Sequence, residues 1–134
     1  MNNSKEIRWR QRFDNFQRAY KRLEEAVSRA NELDDLAKEG LIQRYEITFE
    51  LSWKLLKDYL EAEGFIVNSP RSAIKTAVEQ NIITNGETWM EMLYSRNLTT
   101  HTYDEAMFNE TFDAVINDYF ELIRSLYEYF AEKK

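Results

Sequence analysis

Trp9, Phe13, Phe16, Tyr20, Leu23, Val27 and Ala30 follow one another at alternating intervals of four and three residues. That rhythm is the heptad-like seam of a bundle helix, and it persists for about three heptads. A chain that opens this way must bury one stripe of a long helix against other helices, because a strand would need apolar residues at every second position. The seam predicts a helix from about residue 4 to the early thirties. Asn3-Ser4-Lys5-Glu6 has the form of a capping box, with Asn3 as N-cap and Glu6 reaching back to it.

Residues 31–40 read as a polar connector, with room for one extra turn around Leu33 and Leu36. A second long helix is expected from about residue 41 to 62. Its Leu41, Tyr45, Thr48, Phe49, Ser52, Trp53, Leu55, Leu56, Tyr59 and Leu60 cover more than one stripe, which predicts two neighbours, or a neighbour and a second subunit. Gly64 sits where a left-handed residue ends a helix. Ser69-Pro70 then starts another, Ser as the cap and Pro at the first helical position, where its missing N–H costs nothing. This short helix, to about residue 80, should turn Ile74, Ala77 and Val78 inward. Ile82 and Ile83 pack the following bend, and Asn85-Gly86 is a turn dipeptide.

Helix resumes from about residue 87 to 98, burying Trp89, Met92 and Leu93. Thr102-Tyr103-Asp104-Glu105 has the form of a second capping box, Thr102 as N-cap and Glu105 at the third position. The last helix carries Met107, Phe108, Phe112, Val115, Ile116, Tyr119, Ile123, Leu126, Tyr127 and Phe130 nearly to the end. Three long helices, a fourth assembled from shorter pieces and short connections predict an all-α fold. It is a four-helix up-and-down antiparallel bundle with an additional short helix, one domain over residues 1–134.

Composition serves mainly to exclude. With no cysteine there is no disulfide framework and no thiolate metal site, which suits the cytoplasm. One histidine, with Asp34, Asp35, Asp104 and Glu105 placed like caps or surface residues, leads us to expect no metal and no cofactor. There is no glycine-rich phosphate loop. No apolar run approaches the roughly 18 residues a membrane span needs, so no membrane is expected among the partners. A net charge of -6 argues against broad electrostatic capture of nucleic acid. The charge is uneven, however: Lys5, Arg8, Arg10 and Arg12 against Glu6 read either as a solvated helix face or as a local basic surface on the first helix.

Between the last two helices the apolar rhythm stops. Ser95-Arg96-Asn97-Leu98-Thr99-Thr100-His101-Thr102-Tyr103-Asp104 is polar and hydroxyl-rich and holds the only histidine. On an ideal helix Arg96 and His101 would stand about 140° apart. Thr99-Thr100 is a place for the helix to loosen, since paired β-branched hydroxyl residues favour turns over helix interiors. A locally extended His101-Thr102-Tyr103 would then set His101 and Tyr103 on one side. Geometry permits a cluster of Arg96, Asn97, His101 and Tyr103. An imidazole that takes and gives a proton near neutrality, beside a guanidinium that grips phosphate, suffices for metal-free RNA cleavage by the substrate's own 2′-OH. Asn97 could orient the imidazole or a phosphate oxygen. The same residues also fit a plain structural role, the histidine satisfying a helix end and Tyr103 packing at the start of the last helix.

Arg96-Asn97-Leu98-Thr99-Thr100-His101 resembles the R-x4-H signature of the HEPN superfamily, and its extension through Tyr103 resembles the R-x4-H-x-Y form of HepT-like toxins. Gln43-Arg44-Tyr45-Glu46-Ile47-Thr48-Phe49-Glu50-Leu51-Ser52-Trp53-Lys54, Tyr59-Leu60-Glu61-Ala62-Glu63-Gly64 and Ser69-Pro70-Arg71 add a likeness to the nucleotidyltransferase substrate-binding-protein-like family, a sibling of that group. The resemblance implies a HEPN-like bundle that forms a homodimer and pairs with a minimal nucleotidyltransferase. It implies one of two functions. The first is a ribonuclease toxin with Arg96 and His101 as the catalytic pair, Asn97 in support, and Tyr103 as the hydroxyl that receives AMP from the partner. The second is a non-catalytic subunit that binds a nucleotide or acceptor for the transferase.

The apolar face over residues 41–60 and the aromatic last helix are the expected dimer surfaces.

Overall fold

The computed structural model describes residues 3–96 and 104–133. Helix α1 runs Asn3–Ser28 and is followed by a 3-10 turn, Ala30–Glu32; α2 is Asp35–Ala62, α3 is Pro70–Glu79 and α4 is Gly86–Ser95. Helix α5, Glu105–Ala114, continues through a π-helical turn, Val115–Tyr119, into α6, Phe120–Lys133. The expected all-α four-helix bundle therefore forms. Its long members are α1, α2 and the α5–α6 rod, and the α3–α4 pair fills the fourth place, α3 being the additional short helix.

Charge and ring pairs give the directions. Arg12, early in α1, meets Asp58, late in α2, at 2.9 Å, while Arg44 donates back to the Arg22 carbonyl at 2.8 Å, so α1 and α2 are antiparallel. Helix α6 also runs against α1: Trp9 lies 5.7 Å from Phe130, Phe13 5.9 Å from Tyr127 and Tyr20 5.7 Å from Phe120 between ring centroids. The opening seam is thus a column of aromatic contacts. Trp9, Phe13, Phe16, Tyr20 and Leu23 are all buried, which supplies on the order of 10 kcal/mol before chain entropy is subtracted.

Side-chain caps decide where helices begin. Asp34 accepts from the Ala37 N–H at 2.8 Å, Ser69 from Ser72 at 3.1 Å and Asp104 from Met107 at 3.1 Å. Helix α2 therefore starts at Asp35 rather than near residue 41, and the polar connector is its first turns, which project beyond the core and leave Leu36 exposed. The cap of α5 is Asp104 and not Thr102, with Glu105 first in the helix instead of third, because a carboxylate both accepts the free N–H and complements the helix dipole. Asn3 already belongs to α1, so it is no N-cap; Glu6 instead accepts from Trp9 Nε1 at 3.0 Å and pairs with Arg10 at 3.4 Å.

Gly64 takes the left-handed conformation, φ +97°, and lets the Phe65 N–H return to the Leu60 carbonyl at 2.9 Å. Val78 is exposed rather than inward and lies against Gly86, where a Cβ would come within 3.1 Å of its methyl. The breadth of the α2 face is used inside the chain, against α1, α3 and α6. Its Leu41, Tyr45, Phe49, Leu55, Leu56 and Leu60 are buried, as are Phe112, Phe120 and Phe130 of the last rod. These residues belong to the protein's own core, while Ile47 on the same helix stays 51 % exposed.

Candidate functional site at the end of α4

Helix α4 stops at Ser95, and Arg96 follows it as C-cap, earlier than the expected end near residue 98. From there the side chain crosses to α2, where Nη1 donates to Glu50 Oε1 at 3.2 Å. The other oxygen of Glu50 accepts from Trp53 Nε1 at 2.8 Å. The carboxylate is thus oriented by its own helix on one side while it holds the guanidinium on the other. Glu46, Glu50 and Trp53 stand at i, i+4 and i+7, one half-buried stripe of α2 leading to Arg96. About a third of the arginine, 31 %, remains exposed, so its charge is fixed in direction yet open to a ligand. Asn97, His101 and Tyr103, the other predicted site residues, lie outside the described residues, as does Thr102.

The π-helical turn brings a further group to the same end of the bundle. The Phe120 N–H bonds the Val115 carbonyl, five residues back, and the widened turn lets adjacent side chains serve two helices. Phe120 stacks on Tyr20 of α1, while Tyr119 stacks on Tyr45 of α2 at 5.9 Å. The Tyr119 phenol reaches Ser95, next to Arg96. Burial and the Glu91 carboxylate push its pKa up, and a hydrogen bond with the Ser95 hydroxyl opposes them. Tyr45 is pushed well above the ordinary phenol value by burial, then by Tyr119 and Glu46. Its hydroxyl has no hydrogen-bond partner among the described residues.

Tyr45→Phe should accordingly raise stability by about 1 kcal/mol, since it deletes a buried polar atom and leaves the ring packing intact. The check is a higher urea midpoint at unchanged slope. The folded chain keeps the Tyr45 proton above pH 10.0, where the unfolded phenol is more than half ionised. It therefore binds more protons there, and stability is complete below that pH and falls as pH rises past it. The variant should flatten this alkaline fall; a lower midpoint would mean that the hydroxyl is partnered.

Glu50, Tyr45 and Tyr119 were not singled out as site neighbours in the sequence. Glu46 and Glu50, two acids one turn apart beside an apolar face, were a usable signal for the first. The π-helical turn has no compositional mark, so nothing flagged Tyr119. Among the described residues no group of three or more His, Cys, Asp or Glu could hold a metal ion, and no helix is long and apolar enough to cross a membrane.

The comparisons with known proteins agree with this architecture. A family model described as nucleotidyltransferase substrate binding protein like matches residues 11–132. A Haemophilus influenzae protein named probable ribonuclease HepT is 28% identical over 71 residues, 49% of this chain and 49% of its own. The chain therefore spans about half the length of that curated relative. A Thermus thermophilus protein of known crystal structure superposes with a TM-score of 0.65 at 32% identity, over 78% of this chain and 94% of that one.

Proposed function

Because the chain belongs to the nucleotidyltransferase substrate-binding-protein-like family, we propose that it is a metal-independent ribonuclease toxin, neutralised in the cytoplasm by a partner minimal nucleotidyltransferase. In this reading the 2′-oxygen of the substrate attacks the neighbouring phosphorus and the 5′-oxygen leaves, giving a 2′,3′-cyclic phosphate and a free 5′-hydroxyl. His101 takes the 2′ proton and returns one to the leaving oxygen. Arg96 grips the phosphate and stabilises the charge that builds on its oxygens. Asn97 orients the imidazole or a phosphate oxygen.

The observation that carries this reading is the placement of Arg96. Its guanidinium is held by Glu50 at the exposed end of α4, immediately before the segment with His101 and Tyr103. The likeness to a protein named as a probable ribonuclease supports it. For neutralisation, the Tyr103 hydroxyl attacks the α-phosphorus of ATP in the partner's site and pyrophosphate leaves. The AMP so attached puts bulk and a negative charge two residues from His101, where substrate phosphate would bind. A homodimer would set two such segments in one groove, doubling the arginine and histidine charges available to RNA.

The second reading, a non-catalytic subunit that binds substrate for the transferase, is favoured by the family description itself. Co-expression with the transferase followed by intact-mass measurement separates the two. The toxin reading expects a gain of one or more AMP units that is lost in Tyr103→Phe, and RNA cleavage by the unmodified chain. A stable complex with neither AMP transfer nor cleavage would establish the binding subunit, and equal cleavage by wild type and His101→Ala would remove the ribonuclease.

A further inference from the structure

The aromatic seam of α1 faces the core, and this turns the residues on its flank toward α2. Between the two helices runs an open groove of about 560 Å³. Its walls carry Asn15, Arg18 and Arg22 from α1, with Gln43 and Arg44 from α2, over a floor that includes Ile47 and Leu51. No carboxylate is among the residues lining it. On a chain of net charge -6, three guanidinium groups around one concavity are a local reversal of sign.

Two of these arginines, Arg18 and Arg44, are braced. Arg44 donates to the Arg22 carbonyl at 2.8 Å and to Glu25 at 3.1 Å, and Arg18 donates to the Asn15 side-chain carbonyl. Glu25 lies outside the lining but offsets Arg44, so the positive sign of the groove rests on Arg18 and Arg22. Arg18 and Arg22 are one turn apart on a single face of α1 and stand in a row along the groove. Ile47 is left 51 % exposed at the floor, a large apolar side chain with no helix packed over it. Gly40, also lining the groove, keeps one end open: a Cβ there would meet nothing within 4 Å.

We infer that this groove binds the phosphodiester backbone of a single-stranded RNA, with Arg18, Arg22 and Arg44 on the phosphates and Ile47 against a base. A positively charged groove tracks the backbone of a strand, and the apolar floor gives a base a surface to rest on. Leu51 of its floor is next in sequence to Glu50, the residue that holds Arg96, and stands about 100° round α2 from it. The site deepens the ribonuclease reading and rests on it for the identity of the strand; the cation arrangement stands without it.

The test is fluorescence anisotropy with a short labelled single-stranded RNA and the His101→Ala chain, so that cleavage plays no part. Arg18→Gln with Arg22→Gln should weaken binding at least tenfold and reduce the slope of log affinity against log salt by about 1.4, roughly 0.7 for each phosphate left without its arginine. Gly40→Glu, which removes a helix glycine and projects a carboxylate into open space, should fold and bind more weakly. Arg124→Gln, on α6, should match the unaltered chain. Affinity and slope unchanged in the Arg18/Arg22 variant would overturn the proposal, as would displacement of the strand by equimolar AMP or free phosphate. Loss of binding to the transferase while RNA binding persists would overturn it in favour of a protein-docking surface. A chain that holds RNA through these arginines and never cuts it would remove the ribonuclease reading and leave the groove standing.

Discussion

Replacing Arg96 with alanine should slow RNA cleavage by about 10²–10³-fold, the cost of deleting one preorganised donor from the oxygens where charge develops. The fold should hardly notice. The Arg96–Glu50 pair is part-exposed on both sides, 31%/40%, and such pairs contribute about 0–1 kcal/mol. This separation makes the experiment decisive, since lost activity at unchanged stability assigns the guanidinium to chemistry rather than packing. Glu50→Gln keeps the shape of the contact and removes its charge, so the arginine is aimed less firmly. With at most about 1 kcal/mol at stake the expected loss is no more than about fivefold. Single-turnover rates on a defined RNA, alongside urea unfolding of each variant, measure both quantities. An unchanged rate for Arg96→Ala would take the arginine out of the reaction.

Arg12→Ala should cost about 3–5 kcal/mol of stability, the largest effect expected from a single surface-reaching residue. Its partner Asp58 lies between α1 and α2 with only 4 % exposure, while Arg12 keeps 31 %. Removing the arginine strands a carboxylate in a place water barely reaches. The exposed part of Arg12 marks the route by which solvent can enter, which puts the expectation near the lower end of that range. Replacing both partners, Arg12→Met with Asp58→Leu, should recover most of the loss, because a buried pair exchanged for packed hydrocarbon is near neutral. Urea midpoints of the two single variants and the double give the coupling directly. If Arg12→Ala unfolds at the wild-type midpoint, the pair does not clamp α1 to α2.

Much of the bundle was legible in the residue order, because burial repeats with the period of the helix. Trp9 to Leu23 declares one stripe and no other, and Ser69-Pro70 and Gly64 are local signals whose effect does not depend on distant chain. Asp34 and Asp104 were recognisable as caps or surface, but which polar residue captures the free N–H groups depends on where the backbone leaves the core. That is why α2 starts at Asp35 and why the Thr102 cap gave way to Asp104. The breadth of the α2 face was equally visible, while its occupants were not: a stripe says that something must cover it, and only the packed chain shows α1, α3 and α6 doing so.

The same division runs through the site. Residue order alone determined that this is a helical bundle and which residue types follow Arg96 in the chain, since helical period and side-chain type are properties of the chain itself. The tertiary structure decided the rest: Glu50 as the anchor of Arg96, the π-helical turn that carries Tyr119 to Ser95, and a cationic groove on an acidic protein. Each joins residues far apart in the chain or depends on how a helix rotates against its neighbours, so each arises from packing, to which the local pattern of side chains is blind.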